Sequence, residues 1–587
     1  MAPTSSRSSL TRRACDGCRR RKVKCDAEEP CSNCRISQLA CQYITPRKKR
    51  GPSARVARIH SEPRDLGASA SRASVQEGQS AASPDLHQVQ PSPRPLENVS
   101  NGRDIPDGSL VDSPQSLGLA SSNLVAASAV SLQLTDSTDY AQAIRDALLT
   151  SIRAAVPAVS AEAMVNKCID LYMQYTFPSI PIVHEPSLRS NAAKYFSDSY
   201  TRGLFSGVEE HERVTKRRGF ALITALCASV TSVMPPSVLS YGHLVANLFL
   251  RASQKMLKSY EEYDIELPDS TSMSIRNLHC TAAQHITGKK SAAFHVMGEA
   301  SLIAQSLRLY DEQSIIRSDP VEGQLLRLNF WHLYMSDKAS VCFGSRPCVL
   351  HELLFDGKLT LHPYGLPLTP LLDTTRSRYE NSFEERVLVS FSMVARLWSS
   401  AASILLGMRN YDAAVDERSS LVMRLTSRYL DFIGTMDSLP HWLQLSSIIS
   451  SSEEGHVNSF QYQAFWVQRC TLTMTFHCLR LLIMQQCIDS AFLDIMGISD
   501  QPLALAIKKS ELIHDFIQTM EDIPFIYHQV KGEPSVERIR RVGIILLEMA
   551  QTVSNDAIRS RVEGYFRRLL DTLAKLNSKA SEELTLR

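Results

Sequence analysis

Six cysteines near the N-terminus constrain this chain more than any other feature of its sequence. Their spacing is C-x2-C-x6-C, and the same unit repeats after five intervening residues. A segment this short cannot bury enough apolar surface to fold by itself, so cross-links or metal must stabilise it. The cysteines are Cys15, Cys18, Cys25, Cys31, Cys34 and Cys41.

Zinc explains this spacing better than disulfides do. Zn²⁺ prefers four sulfurs in a tetrahedron, with Zn–S near ~2.3 Å. Two separate sites of this kind need more thiolates than the chain offers here, so two ions fit only if two sulfurs are shared. Disulfides form in oxidising compartments, and residues 1–14 are polar and basic, without the apolar stretch of a signal peptide. We therefore predict a metal cluster.

The segment CDGCRRRKVKCDAEEPCSNCRISQLACQY resembles the fungal zinc-cluster (Zn2Cys6) DNA-binding domain over about residues 12–50. The resemblance implies two Zn²⁺ per chain, with Cys15 and Cys31 bridging them. Pro30 matches a proline that the family usually places before its fourth cysteine. The resemblance also assigns Cys18 and Cys25 to one metal, and Cys34 and Cys41 to the other.

A basic run between the second and third cysteines is the predicted DNA contact. The resemblance implies that Lys22 binds the GC pairs of a CGG triplet, because a lysine can pair with guanine O6 and N7. Arg19 and Lys24 match positions that contact phosphates, which fix register but carry little sequence information. Arg21 lies next to Lys22 and is assigned to either role.

The charge distribution also favours nucleic acid as a partner. Residues 1–60 hold 15 Lys or Arg against 4 Asp or Glu, whereas the remaining residues hold 49 against 57. A strongly basic segment binds polyanions in a salt-dependent way. A second basic run follows the last cysteine and is interpreted as further phosphate contacts, a nuclear localisation signal, or both. It consists of Arg47, Lys48, Lys49 and Arg50.

Composition divides the chain into four parts. Residues 1–14 are predicted to be a disordered N-terminus, and residues 15–41 the zinc domain with a basic extension to 58. We call residues 15–58 the head. Residues 59–138 are rich in Ser and Pro, which predicts a disordered linker, and no heptad pattern for a coiled coil follows the head. Residues 139–587, called the body, are predicted to be an all-α regulatory domain.

Apolar residues in the body recur three to four apart, which is the period of buried helices. The charge-free stretch 219–250 is predicted to form two core helices separated by prolines, rather than a membrane span. Two segments, AAFHVMGEASLIAQSLRLYDE and LLRLNFWHLYMSDKASVCFGSRPCVL, resemble blocks of the fungal transcription factor regulatory (middle homology) region. That resemblance covers about residues 165–355 and implies a regulatory role.

The sequence thus predicts a sequence-specific, DNA-binding transcription factor that acts in the nucleus at RNA polymerase II promoters. It would regulate one metabolic pathway or a secondary-metabolite gene cluster. The expected partners are double-stranded DNA and the transcription machinery or co-regulators, with monomer and homodimer both open and no membrane. No enzyme motif was found, so catalysis is not expected. The alternative is a metal-responsive or RNA-binding zinc protein.

Overall fold

The computed structural model describes the body almost completely and the head in part. The described residues are 14–16, 18, 25–27, 30–31, 34–35, 41–42, 126–197, 203–362, 368–379, 382–414, 417–453, 459–576 and 578, without the side chains of 126–139 and 451–453. The chain divides into two compact units, Met1–Ser116 and Leu117–Arg587.

Helices make up the second unit, and no strand occurs among its described residues, which confirms the predicted all-α class. The first group of helices is α1 Ala126–Ala155, α2 Ala161–Leu171, α3 Glu185–Phe196, α4 Glu210–Val233, α5 Gly242–Lys258, α6 Glu261–Glu266, α7 Ser270–Thr287, α8 Lys290–Ser306 and α9 Pro320–Cys342. The second group is α10 Phe383–Arg409, α11 Arg418–Asp437, α12 Leu445–Glu453, α13 Ser459–Asp489, α14 Pro502–Asp522, α15 Phe525–Lys531, α16 Glu533–Thr552 and α17 Asp556–Leu576.

Two long helices, α10 and α13, lie at the centre of the main core. Both carry buried side chains around most of their circumference, as expected of helices that are covered on several sides. Aromatic rings form contacts between the two helices: Phe383 of α10 packs against Phe460 and Phe465 of α13. A smaller core forms between α7, α8 and α9 around Phe330 and Tyr334.

Side-chain and glycine caps define some of the helix ends. Ser160 caps α2 by accepting a hydrogen bond from the Ala163 N–H at 3.1 Å. Asp269 and Ser272 form a reciprocal capping box at the start of α7. The same helix ends at Gly288, whose φ of 68° is the left-handed conformation that favours glycine. These signals lie in the sequence and fix where α7 starts and stops.

A π-helical turn, Tyr172–Thr176, continues α2. The Phe177 N–H donates to the Tyr172 carbonyl at 2.8 Å, which is the hydrogen bond to the fifth preceding residue that defines a π-helix. π-helical turns are rare and occur frequently at functional sites. Two residues of this turn, Tyr175 and Thr176, line a cavity in the body.

Two predictions about the body can be compared with these helices. The stretch 219–250 does form two core helices, since α4 ends at Val233 and α5 begins at Gly242. Helix α1 begins at Ala126, within the range assigned to the linker. The residues from 126 onward read AASAVSLQL, which lacks Pro and Gly and is rich in helix formers. The rest of the predicted linker, residues 59–125, lies outside the described residues.

In the part of the chain that the structure describes, one helix, α10, is long and apolar enough to cross a membrane. Of its most apolar stretch, 67% is buried inside the body. The core helix of a globular protein passes the same test of length and composition.

Candidate metal centre and nucleic-acid interface

The six head cysteines come together as two groups of four sulfurs. Within each group the Sγ atoms lie within 4.8 Å of one another. The two groups share Cys15 and Cys31, which coincide with the pair that the family resemblance assigns as bridging. The first group adds Cys18 and Cys25, and the second adds Cys34 and Cys41.

Backbone N–H groups orient the sulfurs in a pattern that repeats once. The N–H of Cys18 donates to Cys15 Sγ at 3.3 Å, and the N–H of Cys34 donates to Cys31 Sγ at 3.4 Å. Each first cysteine in turn donates to the third of its unit: Cys15 to Cys25 Sγ at 3.5 Å, and Cys31 to Cys41 Sγ at 3.3 Å. The repeated spacing in the sequence therefore folds into a repeated local geometry.

Sulfur–sulfur distances separate a metal site from a disulfide framework. Cys15 Sγ lies 3.6 Å from Cys31 Sγ and 3.5 Å from Cys34 Sγ, and Cys18 Sγ lies 3.5 Å from Cys31 Sγ. A disulfide needs about 2.05 Å. Four sulfurs in a tetrahedron around zinc lie about 3.8 Å apart, as follows from a Zn–S distance of ~2.3 Å. The donor set thus fits two Zn²⁺ that share two thiolates.

The pKa values of the thiols show why metal and protons compete here. The Cys18 N–H lowers the pKa of the Cys15 thiol to about 6. Burial raises the pKa of the Cys31 and Cys34 thiols to about 12. Six crowded thiolates repel one another unless a cation offsets their charge, so zinc binding must release protons and weaken as pH falls.

A contact that the sequence did not predict closes the head. The Asp16 N–H donates to the Gln42 carbonyl at 2.7 Å, which ties the first cysteine unit to the residue after the last cysteine. Backbone contacts of this kind leave no signature in side-chain identity, so no pattern in the sequence could have revealed it.

The predicted DNA contacts are not part of the described structure. Arg19, Arg21, Lys22 and Lys24 lie outside the described residues, and so do Arg47, Lys48, Lys49 and Arg50. Their assignment therefore rests on sequence position within the cysteine frame. What the structure does provide is that frame: Cys18 and Cys25, which flank the first basic run, lie in one sulfur group.

Comparison with known families agrees with this geometry. Residues 13–51 match the fungal Zn(2)-Cys(6) binuclear cluster domain, so this part of the chain is such a domain. That domain binds two zinc ions. The match contains all six cysteines and both basic runs.

Relatives fall into two groups, those similar in the head alone and those similar along the body. A maltose fermentation regulatory protein of Saccharomyces cerevisiae is 47% identical over 49 residues, 8% of this chain and 10% of that protein. The arabinolytic transcriptional activator of Emericella nidulans is 44% identical over 52 residues, 9% of this chain and 6% of that protein. The citrinin biosynthesis transcriptional activator of Monascus ruber is 25% identical over 364 residues, 60% of this chain and 63% of that protein. The chain thus matches at most a tenth of the first two relatives and less than two thirds of the third.

Proposed function

We propose that this chain is a sequence-specific DNA-binding regulator of transcription that acts in the nucleus at RNA polymerase II promoters. The observation that carries the proposal is the pair of four-sulfur groups sharing Cys15 and Cys31, within a segment that matches a zinc-cluster domain. Regulators of this family are in general not enzymes, and we assign no catalytic residue.

In the proposed cluster, Cys15 and Cys31 would be ligands to both Zn²⁺ ions. Cys18 and Cys25 would complete the ligands of one ion, and Cys34 and Cys41 those of the other. Bound zinc would supply folding free energy rather than chemistry, about 10 kcal/mol per structural site. The chain's own N–H groups orient the sulfurs, and the fold that results presents the basic run to DNA.

The proposed DNA contacts divide into base contacts and phosphate contacts. Lys22 pairs with guanine in a CGG-like triplet, while Arg19 and Lys24 hold phosphates and Arg21 supports either. The run Arg47–Arg50 adds phosphate contacts or directs nuclear import. The excess of positive charge in residues 1–60 supports both roles.

The pathway is proposed from the relatives that match the body. The maltose and arabinolytic regulators resemble only the head, which is shared by regulators of many pathways. The Monascus activators extend the likeness over 60% of the chain and are named for citrinin biosynthesis. We therefore favour control of a secondary-metabolite gene cluster over control of sugar use.

The body is the proposed contact for other proteins. Because no coiled coil is predicted after the head, a homodimer on paired triplets would need contacts from the body. Linking two heads in this way raises their effective concentration on DNA. Co-regulators or the transcription machinery would also bind the body.

Binding titrations with two matched variants test the DNA-binding proposal. Lys22→Ala should weaken binding to a CGG duplex by roughly 1–3 kcal/mol and leave binding to random duplex nearly unchanged. Lys24→Ala should weaken both alike and lower the salt slope by about one. Equal losses of specific and random binding in Lys22→Ala would show that the base contact is wrongly assigned.

The same titration separates the alternative function. An RNA-binding zinc protein would prefer RNA or single strands to the CGG duplex at equal salt. Zinc-dependent changes in transcription without any preference for a duplex would instead indicate a metal-responsive protein. A preference for the duplex contradicts both alternatives.

A further inference from the structure

A cavity of about 80 Å³ lies inside the body, far along the chain from the zinc site. Its walls come from the π-helical turn, α4, α7, α9 and the junction between α15 and α16. At roughly 10–15 Å³ per water-sized group, the space holds about five to eight non-hydrogen atoms. Part of the wall is apolar and is formed by Ile180, Ile182, Val233, Leu278 and Val530.

Among the residues that the structure describes, one charged side chain, Lys531, lines this cavity. Among the described residues, no carboxylate lines the cavity and none forms a hydrogen bond or ion pair with the Lys531 ammonium. Burial, and then the nearby Arg538 guanidinium, lower the pKa of Lys531 to about 8. The ammonium is therefore mostly protonated at neutral pH but poorly stabilised, which is the state that an anionic ligand relieves.

Two histidines line the cavity as neutral groups. Burial and, to a smaller extent, the charge of Lys531 lower the pKa of His332 to about 4. Burial lowers the pKa of His285 too, and its Nε2 accepts the Glu533 N–H at 2.9 Å. With both rings uncharged, Lys531 supplies the net positive charge of the cavity, so a single anionic group suffices to balance it.

Asn277 lines the cavity and carries an unpaired acceptor. Its side chain is 2% exposed, and its Nδ2 donates to Asn329 Oδ1 at 3.3 Å. Its Oδ1 is buried without a hydrogen-bond partner among the described residues. A buried acceptor left unpaired costs about 1–3 kcal/mol, and a ligand hydroxyl or amino group that donates to it would remove that cost.

Two segments with unusual backbone geometry lie at the cavity. Tyr175 and Thr176 of the π-helical turn line one side. Next to Lys531, Gly532 adopts φ 59° and ψ −139°, and a Cβ there would lie 2.1 Å from His285 Nε2. π-helical turns occur frequently at functional sites, and glycine adopts the Gly532 conformation without the strain that another residue would carry.

We propose that this cavity binds a small organic monocarboxylate carrying a hydroxyl or amino group. The carboxylate pairs with Lys531, the hydroxyl or amino group donates to Asn277 Oδ1, and the hydrocarbon part packs against the apolar wall. The apolar wall favours an organic acid over an inorganic anion. Lys531 is the one cation among the described lining residues, which favours one carboxylate over two. Binding here would stand even if the head bound no DNA.

Ligand-observed NMR on the full zinc-loaded chain tests the site with three probes of nearly equal size. Lactate should bind saturably below about 50 mM, the weak end of what a ligand of this size delivers. Lactamide, which lacks the charge, should not bind. Propionate, which lacks the hydroxyl, should bind about fivefold or more weakly, because Asn277 Oδ1 stays unpaired.

Two lysine variants locate the binding. Lys531→Gln should weaken lactate binding about tenfold or more, since it removes the charged hydrogen bond. Lys255→Gln, at an exposed position of α5, should leave it unchanged. The proposal is overturned if lactate shows no saturable binding, if lactamide binds as well as lactate, if inorganic phosphate displaces lactate at equal concentration, or if folded Lys531→Gln binds normally. The probe comparison on the unmodified chain decides the question even if a variant does not fold.

Discussion

The head and the body differ in what they bury. Among the described head residues, the buried cluster consists of cysteines, and Cys15, Cys18, Cys31 and Cys34 are each 0% exposed. In the body, aliphatic and aromatic side chains from most of the helices form the main core. One region is organised around sulfur ligands for metal, and the other around apolar surface removed from water.

This difference sets what each region responds to. The head gains its folding free energy from zinc, so its stability depends on metal concentration and on protons that compete for thiolates. The body gains about 25 cal/mol for each Å² of apolar surface that it buries, which depends on neither. Conditions chosen to unfold one region should therefore spare the other.

Removal of zinc should give the largest effect. A strong chelator should remove two zinc ions and unfold residues 15–41, because on the order of ~10 kcal/mol per site is lost. Native mass spectrometry counts the metal, and hydrogen exchange reports protection in each region. The body should keep its thermal transition; if it melts together with the head, the two regions do not fold independently.

Gly532→Ala should destabilise the body and leave the zinc-binding head unaffected. Its Cβ would meet His285 Nε2 at 2.1 Å in a conformation that essentially only glycine adopts. We expect a loss of about 2–4 kcal/mol in the free energy of unfolding of the body, with two zinc ions still bound. Thermal unfolding and native mass spectrometry measure the two outcomes.

Gly298→Ala is the matched control for that variant. It lies inside α8, and a Cβ there meets no atom within 4 Å. We expect a gain of roughly 0.5–1 kcal/mol, because alanine favours helix. Equal losses in both variants would show that the environment of Gly532 is not special.

A further effect concerns Lys531 and depends on pH. The pKa of Lys531 is about 8 in the folded chain and about 10.4 when unfolded, so its charge destabilises the body below pH 8. The cost shrinks between pH 8 and about 10.4 and vanishes well above that range. Lys531→Gln should therefore stabilise the body at pH 7 by about 1–2 kcal/mol, given that the side chain keeps some contact with solvent.

Thermal unfolding across this range measures the effect, with Lys255→Gln as the control. The difference between Lys531→Gln and the unmodified chain should shrink from pH 8 upward and be mostly gone at about pH 10.4. A difference that stays constant with pH would indicate altered packing rather than a removed charge.

The head could be predicted from sequence because its determinants are local. The residues that form one sulfur group lie close together in the chain, and their spacing alone indicated two metals with shared ligands. The basic run was predicted as well, and its roles at Lys22 and Lys24 stay predictions. Helix class in the body also followed from local periodicity, although α1 starts earlier than composition suggested.

The cavity in the body could not be predicted in this way. Asn277, His332 and Lys531 are far apart in sequence, and each by itself is an ordinary residue on a helix. Only tertiary packing brings them to one space. The π-helical turn at Tyr172 is equally invisible, because YMQYT reads as a continuation of α2.

Because the proposed cluster shares Cys15 and Cys31 between its two ions, the loss of a cysteine has different consequences at shared and unshared positions. Replacing an unshared cysteine, such as Cys18 or Cys41, removes one ligand from one ion and leaves the other ion with its four. Replacing a shared cysteine removes a ligand from both ions at once. Loss of one unshared cysteine should therefore weaken the head partially, whereas loss of either shared cysteine should abolish metal binding at both sites. Oxidation of a single thiol would then inactivate the head most completely at Cys15 or Cys31.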